Sequence, residues 1–236
     1  MKKFLAVFLM LASTVQAGIF GSEPVKIFKD YPYDTHKTDF LKQFPRFGAC
    51  EVSSNVICAP SGIEKLYGIY FDINVMLNSN KTESVRLLSN VDKNGIINKE
   101  SYLEFFRGIS KSGFYPYEIE EERGGNKVNN LEDTFTQMLS GKKPEKDNFN
   151  AMLDKLEAEE PVTMIISYVE YDKLQKTLNA GKFSSVNQVF DKLPQDTRFI
   201  KAKITNLGHD SFMIDMKIEL PKMQVSKLDD RPVEKF

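Results

Sequence analysis

Residues 199–220, FIKAKITNLGHDSFMIDMKIEL, alternate apolar and polar side chains on both sides of a turn. In the second half, Phe212, Ile214, Met216, Ile218 and Leu220 occupy every second position, with Asp215, Lys217 and Glu219 between them. Successive side chains of a strand point to opposite faces, so this spacing gives one apolar face and one charged face. Asn206-Leu207-Gly208-His209-Asp210 supplies turn chemistry, which predicts an antiparallel hairpin of Phe199–Thr205 with Phe212–Leu220. Upstream, Val162–Val169 (VTMIISYV) follows Pro161 and is mostly β-branched or aromatic, which predicts a buried strand. Tyr171–Leu178 and Ser185–Leu193 read as helices separated by Asn179-Ala180-Gly181, and the inner face of the hairpin should cover them. Residues 131–236 are therefore expected to form an α+β region built as strand, helix, helix and β-hairpin. Helices are also expected at Leu131–Leu139 and at Glu145–Glu159, where Phe149, Met152, Leu153 and Leu156 form one stripe.

The preceding part of the chain reads differently. Residues 18–60 carry Pro24, Pro32, Pro45 and Pro60 and suggest extended chain, with one short helix at Thr38–Phe44. In Ser61–Leu77, Ile63, Leu66, Tyr67, Tyr70 and Phe71 share a helical face. Thr82–Leu88 and Glu100–Ile109 are further helical candidates, so residues 18–111 are expected to be mostly helical. Residues 112–130, SGFYPYEIEEERGGNKVNN, mix Gly, Pro, Asn and acids and predict a linker or exposed loop. Its Tyr-Pro-Tyr at 115–117 repeats the one at 31–33; such tyrosines either present a binding platform or pack a loop onto the body.

The first residues predict an address. Lys2 and Lys3 precede the apolar run Phe4–Ala12, and Val15 and Ala17 put small residues where signal peptidase reads. Residues 1–17 thus read as a bacterial-style signal peptide, with a short buried helix as the alternative. Gly18 rather than Cys follows, so the usual lipid-attachment signal is missing. The expected product is soluble and periplasmic or secreted after cleavage behind Ala17. Cys50 and Cys58 are the two cysteines of the 236 residues, with seven residues between them. In an exported chain such a pair reads as a disulfide rather than a metal or redox pair, which favour tighter spacing. Lys plus Arg number 32 and Asp plus Glu 33, a balance that argues against a nucleic-acid partner. No apolar run reaches the length of a membrane-spanning helix.

One constellation carries site chemistry. In Asn90-Val-Asp92-Lys-Asn94-Gly95-Ile96-Ile97-Asn98-Lys-Glu100-Ser101, oxygen-bearing side chains recur at alternate positions. A hard cation needs six or more oxygens, a glycine bend at the sixth position and a backbone carbonyl at the seventh. Gly95 and Ile96 stand there, Ile97 follows as the apolar anchor, and Asn98 suits a water-mediated contact. The stretch resembles a single, degenerate EF-hand loop and is similar to the dockerin type. The resemblance implies calcium held by Asn90, Asp92, Asn94, Ile96, Asn98 and Ser101, between helices at Thr82–Leu88 and from Tyr102 onward. Ser101 replaces the usual final carboxylate, and Asp92 is the one carboxylate among the direct ligands, so the implied affinity is weak. A helix–loop–helix kept as scaffold without an ion, or coincidence, are the alternatives.

Sequences for a phosphate loop, a dinucleotide fold, a nucleophile elbow or a zinc helix are missing. His209 beside Asp210 and Ser211 reads as turn chemistry, and Glu118, Glu120, Glu121 and Glu122 read as a solvated acidic cluster. The reading that follows is an envelope protein that binds or helps assemble a protein or envelope partner, leaning away from catalysis. A secreted hydrolase with a carboxylate pair is the alternative, and a calcium-regulated adhesive module a third.

Overall fold

The computed structural model describes residues 23–51, 53–123, 126–129, 163–208 and 211–224. The leader, the expected helices at 131–139 and 145–159, and His209 lie outside the described residues. In chain order the elements begin with β1 (Lys26–Phe28), β2 (Tyr31–Pro32), α1 (Lys37–Gln43), β3 (Gly48–Cys50), β4 (Ser53–Cys58) and β5 (Glu64–Leu66). They continue with β6 (Ile69–Asn78), β7 (Lys81–Ser89), α2 (Val91–Asn94), α3 (Lys99–Lys111), β8 (Phe114–Arg123) and β9 (Asn126–Asn129). The last are β10 (Thr163–Glu170), α4 (Tyr171–Ala180), α5 (Val186–Lys192), β11 (Phe199–Gly208) and β12 (Ser211–Glu219).

Ten of these strands form one antiparallel sheet in the order β3-β4-β6-β7-β12-β11-β10-β8-β9, with β5 hydrogen-bonded to the start of β6. The expected strand, two helices and hairpin at the C-terminal side are present, with Lys201 opposite Lys217 and Ile204 opposite Ile214. The seam is β7 against β12, where Val85 faces Ile218 and Leu88 faces Asp215. Through that seam both halves of the sequence share one sheet.

The expected helical N-terminal region is overturned. Ser61–Leu77 forms β5 and β6, and Thr82–Leu88 lies in β7. Ile69, Phe71, Ile73, Val75 and Leu77 are buried while Tyr70, Asp72, Asn74 and Met76 are not, a period of two that outweighs the helical spacing. Two hairpin turns enforce it. Ser79 and Asn80 both have positive φ (50° and 62°), as a two-residue hairpin turn with the sheet's twist requires. Tyr67 and Gly68 do the same between β5 and β6, with φ of 47° and 90°. Residues 112–130, expected as a linker, supply β8 and β9. Pro116 is tolerated in β8 because it lies where the pairing with β10 shifts register between Ser167 and Tyr168.

The inner face buries Ile73, Val85, Leu87, Ile166, Ile204 and Ile218 among others. It is closed by Tyr102, Phe105, Phe106 and Ile109 of α3 and by Phe40 of α1. Tyr102 packs at a tilt against Phe212 with ring centroids 4.5 Å apart, so the buried face of the hairpin rests on α3 rather than on the two helices expected to meet it. Those helices, α4 and α5, pack on the opposite face through Val169, Leu174, Val189 and Leu193, beside Phe199. Tyr31 and Tyr33 are buried in the main core, and Tyr115 and Tyr117 pack the smaller one.

Candidate functional site

The loop of alternating oxygens is engaged within the fold. Asn90 caps α2, its Oδ1 accepting from Lys93 N at 2.8 Å, and Asn98 caps α3, accepting from Ser101 N at 3.0 Å. Asn94 Oδ1 accepts from Tyr70 N at 2.7 Å, and its Nδ2 donates to Tyr70 O and Asn90 O, both at 2.7 Å. Together with Asn90 N, which donates to Tyr70 O at 2.8 Å, the Asn94 amide thus serves the start of β6 just beyond the end of its pairing with β7. Asp72 Oδ1 gathers Ser61 Oγ, Gly62 N and Asn90 Nδ2 at 3.0, 2.6 and 2.9 Å. Asp92 lies exposed in the first turn of α2. Ile96 is exposed, whereas Ile97 is buried and its carbonyl accepts from Phe212 N. Gly95 has φ 61°, the bend its position demands. The element entering this loop is β7, a strand, where the resemblance implies a helix. Among the described residues no three His, Cys, Asp or Glu side chains gather where an ion could sit.

Cys50 and Cys58 are joined at disulfide distance, with Cα atoms 5.4 Å apart. Their bond ties the edge strand β3 to β4, which otherwise share only a short irregular ladder. His36, the histidine within the described residues, caps α1, its Nδ1 accepting from Thr38 N at 3.3 Å.

The groups that form a cleft come instead from the outer face of the sheet. Alternation in β11 turns Phe199, Lys201 and Lys203 outward, because Ile200, Ala202 and Ile204 are buried inward. Register then aligns one row across four strands: Arg86 of β7, Lys217 of β12, Lys201 of β11 and Ser167 of β10. Arg86 binds both oxygens of Asp215, at 2.8 and 2.6 Å. That hydrogen bond raises the Arg86 pKa. Lys217 pairs with Glu219.

Where α5 and the turn after β12 lean over this row, they enclose a cleft of about 650 Å³. Its wall is a corner of three rings. Tyr117 meets Phe190 edge-on at 4.8 Å and Phe199 at 6.0 Å, and Phe190 meets Phe199 at 5.8 Å. Its floor includes Ser167, Lys201 and Glu219, with Glu118 and Asp191 at the margin. Lys222 Nζ donates to the carbonyls of Phe190, Asp191 and Leu193 at 3.2, 2.8 and 2.6 Å, which fastens the chain after β12 to the end of α5. Burial, and then the charge of Glu118, push the Tyr117 hydroxyl up to about 12, while a hydrogen bond with Ser167 opposes them. Tyr117 is therefore a neutral hydroxyl at ordinary pH. Of these residues the sequence singles out Tyr117, in the Tyr-Pro-Tyr read as a binding platform or a packed loop, and Glu118, read as part of a solvated acidic cluster. The outward alternation of Lys201 and Lys203 was visible, but the cover given by α5 was not.

Close by, Glu170 joins β10 to α4. Burial would raise its carboxyl, but Arg198 Nη2 at 2.6 Å, the charges of Arg198 and Lys173, and the Arg198 N–H outweigh that. The pKa ends below the ordinary glutamate value, as befits a structural ion pair.

Comparison of the chain with protein-family models, with curated proteins and with solved structures gives no match in any of the three.

Proposed function

We propose that the chain is exported, is cut behind Ala17, and acts in the cell envelope as a binding or assembly factor whose recognition site is the outer-face cleft. The observation that carries this reading is the cleft itself. A concave site with an apolar wall and a few polar groups on a rigid floor is the usual form of a ligand site. Here the floor is a hydrogen-bonded sheet and the roof is tied down by Lys222, so little ordering is left to be done on binding. The basic head, short apolar run and small residues at Val15 and Ala17 support export, and a cysteine pair at disulfide distance is compatible with an oxidising compartment. Among the described residues no helix is long and apolar enough to cross a membrane.

The test has two parts. Mass spectrometry of the protein from its native cells should place the mature N-terminus at Gly18; an intact Met1 would remove the envelope reading. Cross-linking from a photoreactive residue at Gln195, on the cleft margin, should capture a partner or ligand that the same probe at exposed Lys65, on β5, does not. Equal capture at both positions would remove the cleft as recognition site.

A further inference from the structure

The row of cations on the outer face shows what the cleft lacks. Lys201 and Lys217 are direct cross-strand partners. Side chains so placed have Cβ atoms about 5 Å apart, and like charges there repel. Arg86, next along the row, is neutralised by both oxygens of Asp215, and Lys217 by Glu219. Lys201 alone in the row has no ion pair among the described residues, and it stands on the floor of the cleft. An anion seated there would give Lys201 the charge partner that Arg86 and Lys217 already have. Beside Lys201 rises the ring corner of Tyr117, Phe190 and Phe199. Its unionised phenol and two phenyl rings suit an apolar group of about one ring. Glu118, Glu219 and Asp191 border the same space. They disfavour a dianion such as a phosphate ester and leave room for a single negative charge.

We propose that the cleft binds a monocarboxylate carried on an apolar, ring-sized group, with Lys201 as its charge partner and the three-ring corner as the seat of the apolar part. This rests on the cleft reading above. The carboxylate can belong to a free acid or to the C-terminus of a peptide, and the geometry offers the same contacts to both.

The experiment uses the mature protein and follows backbone amide shifts of β10, β11 and α5 by NMR during titration. The probes are 3-phenylpropionate, 3-phenylpropylamine, and the tripeptide Gly-Gly-Phe with a free or an amidated C-terminus. We expect saturable shifts around Lys201 and Phe190 with at least one of the two carboxylates. The amine and the peptide amide should bind at least tenfold more weakly. Lys201→Ala should weaken the carboxylate about tenfold, and Lys201→Arg should restore most of that loss. Unchanged melting temperature for both Lys201 variants keeps the comparison interpretable, since the side chain is exposed. Saturation by the free acid but not by the peptide assigns a small-molecule source; the reverse assigns a peptide end. Binding of the amine as tight as the carboxylate, or a carboxylate affinity indifferent to Lys201→Ala, overturns the ligand class while leaving the cleft as a site. Silence of the cleft amides with all four probes overturns both the class and the cleft reading.

Discussion

Replacing Tyr168 with Phe should stabilise this protein, although it removes a polar group from a fully buried residue. Tyr168 sits on the inner face of β10, opposite Ile200 of β11 and Pro116 of β8, with 0% exposure. Its hydroxyl is buried and meets no hydrogen-bond partner among the described residues. Desolvating a hydroxyl without return costs about 1–3 kcal/mol. Tyr168→Phe removes that cost and keeps the ring. The void of one oxygen is smaller than a methyl group and costs less than about 1 kcal/mol. The net expectation is a gain of about 1–2 kcal/mol, or roughly 2–8 °C in melting temperature for a chain of this size. Tyr31→Phe is the matched control. Tyr31 is also buried in the core, but its hydroxyl accepts from Nη2 of the exposed Arg46, so the same chemical change removes a hydrogen bond to a charged donor and should lose about 1 kcal/mol. Urea unfolding of the three proteins measures both effects, with the slope m unchanged if only stability moves. A loss of stability in Tyr168→Phe comparable to that in Tyr31→Phe would refute the reasoning, because it would mean that the Tyr168 hydroxyl is satisfied.

Alkali should destabilise the fold: burial first, then Asp34 and Glu83, hold Tyr33 up at about 12, and burial first, then Glu118, holds Tyr117 at a similar value. A tyrosine whose folded pKa is raised contributes stability that is full below the unfolded value near 10 and is lost between about pH 10 and 12, so pH titration of the urea midpoint should fall across that window. On the acid side, Glu170 has a lowered folded pKa despite its burial, so its contribution is present above the ordinary glutamate value and disappears as pH falls through the lowered one; Glu170→Gln should flatten that part of the curve. Reducing Cys50–Cys58, which closes a loop of sequence separation 8, should cost about 2–3 kcal/mol by chain entropy, read as a shift in thermal unfolding with and without reductant. Asn94→Ala should cost about 1–2 kcal/mol by freeing the N–H of Tyr70, whose carbonyl keeps its bond from Asn90 N, and calorimetry with millimolar calcium should show no heat from the wild type, since the amide oxygens of Asn90, Asn94 and Asn98 already accept backbone N–H groups; heat that Asp92→Ala removes would show that the loop opens for the ion.

The C-terminal third was legible because its signals agree. Phe212, Ile214, Met216 and Ile218 alternate without interruption, and α4 and α5 have helical spacing between clear breaks. The N-terminal half misled because Leu66, Tyr67, Tyr70 and Phe71 satisfy both a helical stripe and part of a strand. What decides between them is the pair of positive-φ turns at Tyr67-Gly68 and Ser79-Asn80, and only Gly68 and Asn80 announce such turns by residue type. In β8 the acids of Glu118 to Glu122 hid a strand. Ile119 alone among them is buried, opposite Ile166, and the sheet needs no more from that segment. The oxygen-rich loop was legible as a bend with a buried anchor, Gly95 and Ile97. The use of its side chains was not, because the carbonyl and N–H that Asn94 serves belong to Tyr70, 24 residues earlier.

The placement of the cleft follows from unequal cover on the two faces. The inner face is apolar along every central strand and is closed by α3 and α1. On the outer face, α4 and α5 meet the sheet at the Val169–Phe199 end, where the outward residues of β10 and β11 are apolar. One step along each strand, the outward residues are Ser167 on β10, Lys201 on β11 and Lys217 on β12, which a packed helix could not bury without stranding charge. Close helical packing must therefore stop between these two rows, and beyond it α5 overhangs the sheet and leaves the cleft. A boundary of that kind brings aromatic rings and solvated charges within one residue spacing of each other. A long strand whose outward face changes from apolar to charged partway along specifies such a boundary, and in β11 the change falls between Phe199 and Lys201.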